Sequence, residues 1–96
     1  MTTTNTILPQ PPVMDETDNL ITLATLLAGR IQYYQDDIEY RKERILANPT
    51  DENCRAGFIA IEIDSGKRAA VWNVLSEVLS DLEDITDEEW TVARLL

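Results

Sequence analysis

The sequence predicts an all-α protein: an antiparallel two-helix hairpin with a short C-terminal third helix and an extended Pro-rich N-terminal arm, dimerising as a helical bundle. Three observations predict it. Apolar residues recur at steps of three and four from Leu20 to Ile45 and again from Cys54 to Leu82, the spacing of one helix face. A single strong break, Asn48-Pro49, separates the two runs, because the residue before a proline is pushed out of the helical region. Apolar positions also form a second strip on each helix, and one hairpin cannot bury both.

The first 14 residues are Thr-rich and then carry Pro9, Pro11 and Pro12, which favour an extended polyproline-like arm. Its Ile7, Leu8, Val13 and Met14 could pack on the domain or on a neighbour. The remaining residues, 15 to 96, form a single domain with helices expected over 17–47, 51–83 and 87–95. The first helix starts within Asp15 to Asp18, where carboxylates cap the chain and complement the helix dipole. Its seam runs Leu20, Ala24, Leu27, Ile31, Tyr34, Ile38 and Ile45, with Arg41 interposed. Thr50 is a good N-cap for the second helix, with Asp51 and Glu52 in its first turn.

The second seam runs Cys54, Phe58, Ile61, Ser65, Arg68, Trp72, Leu75, Leu79 and Leu82. Folding the chain about the turn sets Ile45 opposite Cys54, Arg41 opposite Phe58, Tyr34 opposite Ser65 and Leu27 opposite Trp72. Large residues then often meet small ones, as interdigitation requires. Ile31 opposite Arg68 fits only if the arginine bends outward along its apolar stem. Thr86 and Glu89 have capping-box spacing, and Ile85 and Trp90 staple spacing, so the third helix begins near Asp87. Trp90, Leu95 and Leu96 are expected at the hairpin's open end.

A competing assignment concerns residues 58 to 64, "FIAIEID", whose Ile59, Ile61 and Ile63 alternate like a strand. The partner strand could only be the N-terminal "TTTNTIL", giving a small α+β fold. Gly57 and Gly66 keep that alternative open, since each costs a helix about 1 kcal/mol relative to alanine.

Composition restricts the chemistry. Eighteen acidic residues against eight basic ones give a net charge of −10, which repels nucleic-acid phosphate. With no histidine and one cysteine, Cys54, no internal disulfide and none of the usual zinc ligand sets is expected. No Ser-His or Cys-His nucleophile pair, glycine-rich phosphate loop or dinucleotide fingerprint occurs. No enzyme, cofactor or metal is therefore expected. The N-terminus lacks the pattern of a signal peptide, and Leu20 to Ile31 is too short and too polar to span a bilayer, so a cytoplasmic location is expected.

Two features point to association. Residues 76 to 90, "SEVLSDLEDITDEEW", carry Glu77, Asp81, Glu83, Asp84, Asp87, Glu88 and Glu89 without a basic residue. The first four oppose the dipole of the second helix, whereas Asp87, Glu88 and Glu89 would sit favourably in the first turn of the third. A glycine and the Asp-x-Asp-x-Asp pattern of a calcium loop are missing. Such a cluster can serve solubility and capping, or can imitate a phosphate backbone and dock on a basic protein surface. The second feature is the additional apolar strip: Leu23 and Leu26, with Tyr33 and Tyr40, on helix one, and Ile59, Ile63, Ala70, Val74 and Val78 on helix two. It suits a homodimer interface. In size and charge the chain resembles the small acidic inhibitors made by phages and mobile elements. That resemblance implies an inhibitor competing for a nucleic-acid-binding site on a larger partner. The alternative is an assembly or scaffold subunit driven by helical oligomerisation.

Overall fold

A computed structural model describes residues 15–96, which form three helices: α1, Glu16–Ala47; α2, Asp51–Thr86; and α3, Val92–Leu95. The N-terminal arm lies outside the described residues. Among those described there is no strand, and residues 58 to 64 are continuous helix. The long apolar run of α2 decides the matter, since one buried side at helical period outweighs a local alternation of three isoleucines.

Each helix begins and ends for a local reason. Asp15 caps α1 by accepting the Asp18 backbone N–H at 2.8 Å. At the bend, the Asn48 N–H reaches Arg44 O at 3.2 Å and the Thr50 N–H reaches Asn48 O at 2.9 Å. Thr50 Oγ1 then accepts from the Asn53 N–H at 3.1 Å, and Asn53 Nδ2 donates to Asn48 O at 3.0 Å. Two helices of 32 and 36 residues are thereby joined through Asn48, Pro49 and Thr50, and they pack antiparallel along their length.

The seam of α2 is rotated from the one expected. Gly57 rather than Phe58 faces α1, and Phe58 is 60% and Trp72 45% exposed. The register is also displaced by about one helical turn. Ile45 lies over Gly57 rather than Cys54. Arg68 hydrogen-bonds Gln35 rather than meeting Ile31, and Arg41 meets Asp64 rather than Phe58. The physical reason is that helical side chains lean toward their own N-terminus. In an antiparallel pair the two leans run opposite ways, so contacting residues lie further from the bend on α2 than a count of α-carbons implies.

Ala24, Ala28, Leu75, Val78, Leu82 and Trp90 form the core at the open end, flanked by Leu20, Ile21, Leu27, Ile31, Leu79, Val92 and Leu95. Leu96 is exposed. The third helix is shorter than expected because α2 continues to Thr86, whose hydroxyl donates back to Leu82 O at 2.7 Å. Asp87 then ends α2 in the left-handed conformation, φ 56° and ψ 34°, its N–H bonding Glu83 O. The capping box at Thr86 and Glu89 does not form, and the N-cap of α3 is Thr91, which accepts from the Arg94 N–H at 3.3 Å. Trp90 is held from both sides: its Nε1–H donates to Thr86 Oγ1 at 2.9 Å, and the Arg94 guanidinium lies 3.7 Å from its ring centre.

At Gly57 the side chain of Ile45 packs directly on the α2 backbone. A Cβ there would lie 2.5 Å from Ile45 Cδ1 and 2.7 Å from Cγ1, whereas one at Gly66 would meet nothing within 4 Å. Cγ1 cannot swing clear without a change of χ1, which a β-branched residue in a helix resists. Gly66→Ala is therefore expected to stabilise the fold by about 1 kcal/mol, and Gly57→Ala to lower the melting temperature. In an Ile45→Ala background Gly57→Ala should become stabilising. Thermal unfolding of the four variants checks this.

Candidate functional site

At 3.6 residues per turn, Leu23, Leu26, Arg30, Tyr33, Asp37 and Tyr40 lie roughly 100–150° round α1 from its buried stripe. Ile63, Lys67, Ala70 and Val74 are displaced comparably on α2, toward the same broad face of the hairpin. Ile59 lies further round the back of α2. Leu23, Leu26, Tyr33, Tyr40, Ile59, Ile63, Ala70 and Val74 are all exposed. Val78, expected with them, is only 7% exposed and belongs to the hairpin core, because the rotated seam turns it toward α1. The C-terminal segment does not cover this face: Trp90, Val92 and Leu95 pack with Ile21, Ala24 and Ala28, round the other side of α1.

Set into the broad face is a charged cluster that joins the two helices. Arg41 Nε donates to Asp37 Oδ2 at 2.8 Å and lies 3.6 Å from Asp64 Oδ2. Asp37 and Arg41 are an i,i+4 pair with the acid N-terminal, the favoured order. Asp64 comes from the first half of α2, and its side chain is 13% exposed, with Oδ2 buried and lacking a hydrogen-bond partner among the described residues. Two carboxyls so close cannot both ionise freely. Asp37 is held below the ordinary 3.8 because it accepts a hydrogen bond from Asp64 and another from Arg41. Asp64 is pushed up because it donates to Asp37, with burial adding to the effect. The hydrogen bond to Asp37 raises Arg41.

The last two turns of α1 carry a basic group, Arg41, Lys42 and Arg44. Arg41 bridges the helices, Lys42 lies 3.7 Å from Glu39, and Arg44 stands 5.8 Å from the Tyr40 ring centre. Helical spacing suffices to find Asp37 and Arg41 as a pair. Asp64 escaped the sequence reading because the unshifted register set Phe58 opposite Arg41.

The acidic stretch divides into two parts. Glu77, Asp81 and Asp84 are exposed on α2 with no cation beside them among the described residues, and the last turn of α2 has no basic residue. The others serve the C-terminal clamp. Asp87 terminates α2, Glu88 lies 3.6 Å from Arg94, Glu89 O accepts from Arg94 Nη1 at 2.9 Å, and Glu83 Oε1 is 3.5 Å from the Trp90 N–H. Asp87, Glu88 and Glu89 do not occupy the first turn of a helix, since Val92 opens α3.

Among the described residues no three potential ligands gather as a metal group, and no helix is long and apolar enough to cross a membrane. Compared with family models, curated proteins and solved structures, the chain matches none of them.

The Arg41 cluster makes a pH-dependent contribution whose sign follows from Asp37. A carboxyl depressed in the folded state stabilises above its unfolded value and ceases to do so as pH falls through the folded one. Arg41→Gln should therefore lower the melting temperature at pH 7, and the difference from wild type should shrink as pH falls below the ordinary aspartate value of 3.8. Thermal unfolding across pH checks this.

Proposed function

We propose that the chain is a non-enzymatic protein-interaction module that assembles as a homodimeric helical bundle, acting as an assembly or scaffold subunit. One observation carries this reading: Leu23, Leu26, Tyr33 and Tyr40 of α1 and Ile63, Ala70 and Val74 of α2 are exposed on one broad face that α3 leaves uncovered. Contiguous apolar surface of this kind is uncommon on a soluble monomer and marks an interaction site. Pairing two hairpins into a four-helix bundle is the standard way to cover it. Ile63→Asp or Val74→Asp should convert the oligomer to monomer, with helicity retained because both side chains are exposed. Sedimentation and circular dichroism check the two halves of that expectation.

The exposed carboxylates at the open end favour a second role. Glu77, Asp81 and Asp84 have no cation of the chain's own beside them among the described residues, so they are free to meet a basic surface on a larger partner. Such contacts speed association and weaken with salt. An inhibitor that occupies a nucleic-acid-binding site would use them in place of phosphates. In a low-salt pull-down, a basic partner retained by wild type should be lost on combining Glu77→Gln, Asp81→Asn and Asp84→Asn. Retention by this variant would remove the acidic-decoy reading and leave the assembly reading standing.

A further inference from the structure

The uncovered face carries a pattern that is complementary to itself when reversed, and that pattern identifies what covers it. On α1, Arg30 precedes Tyr33 by three residues and Asp37 follows it by four. An antiparallel copy of α1 centred between Tyr33 and Tyr34 therefore sets each Arg30 beside the other Asp37, and Leu26 within one residue of Tyr40. On α2, an antiparallel copy centred between Lys67 and Ala70 sets Ile63 beside Val74 and the stem of Lys67 beside the small Ala70. These two centres come from different helices, yet they lie at one height in the hairpin. The bond from Arg68 to Gln35 fixes that correspondence. A single two-fold axis crossing both helices thus satisfies both patterns.

We propose that this face is covered by a second copy of the chain, with α1 packed antiparallel on α1 and α2 on α2 about a two-fold axis near Tyr33 and the Lys67–Ala70 turn. This rests on the homodimer reading and specifies its geometry. The other isologous arrangement has its axis along the helices and packs α1 on α2. It brings both open ends together and opposes Glu16, Glu77 and Asp81 of one copy to those of the other, a like-charge juxtaposition. The antiparallel arrangement sends the acidic ends to opposite extremes of the bundle. It also places an incoming guanidinium beside Asp37, whose side chain is partly exposed on this face. Arg30 is available for this: it is exposed and stands 6.0 Å from the Tyr33 ring centre.

The test begins with the solution mass of wild type, followed by cross-linking with Cys54→Ser as background, since Cys54 is the only native thiol. Under mild oxidation or with a short thiol cross-linker, Tyr33→Cys should join to itself. Chains carrying Ile63→Cys, mixed with chains carrying Val74→Cys, should yield a covalent heterodimer. All three sites are exposed, and unchanged circular dichroism confirms that each variant folds. Arg30→Glu should raise the dimer dissociation constant about tenfold or more, since two attractions become repulsions. A wild-type protein that stays monomeric at every concentration overturns both this geometry and the homodimer reading. A dimer in which Tyr33→Cys joins Ala70→Cys and not itself overturns the geometry alone.

Discussion

The packing of α1 against α2 governs everything else in this protein. Neither helix has a buried environment without the other, and α3 is too short to supply one. Near the bend the Ile45 side chain packs on Gly57, where α2 has no side chain to hold it off. Because side chains lean in opposite senses along antiparallel helices, the meshing is offset by a turn. That offset selects Asp64 as the neighbour of Arg41, Gln35 as the neighbour of Arg68, and Val78 as a core residue. It also leaves Phe58 and Trp72 outside.

At the opposite end, the hairpin is closed by the chain's own C-terminal segment. The link from Thr86 to Trp90 works because one hydroxyl is used twice: it donates to Leu82 O and accepts from the indole of Trp90. Asp87 in the left-handed region reverses the chain, and Arg94 caps the indole face while neutralising part of the local negative charge. Four of the seven acidic residues, Glu83, Asp87, Glu88 and Glu89, are consequently structural. The carboxylates left free, Glu77, Asp81 and Asp84, belong to α2, whose dipole they oppose.

Apolar and acidic surfaces therefore occupy different parts of the molecule. The broad face offers leucine, isoleucine, valine and tyrosine side chains interrupted by charges that can pair, and the open end offers carboxylates that cannot pair within the described chain. In the proposed dimer the acidic ends remain accessible, so the two proposed roles are compatible. The Asp37–Arg41–Asp64 cluster lies between the two strips. It ties α1 to α2 through Arg41.

The sequence by itself determined the two long helices, a start for the first within Asp15 to Asp18, the cap at Thr50, the bend at Asn48-Pro49 and the antiparallel hairpin, because these follow from local capping chemistry and from a period that any helix must keep. It also exposed the acidic stretch and nearly all of the second apolar strip, as both are counted along one helix at a time. Tertiary structure alone decided the register between helices, the end of α2 at Thr86 instead of residue 83, and the identity of the residues that bridge the seam. Those depend on the lean of side chains, the approach permitted at Gly57, and the packing of Trp90 on Ala24 and Ala28. Each is a relation between segments distant in the chain, and a periodicity read within one segment cannot contain it.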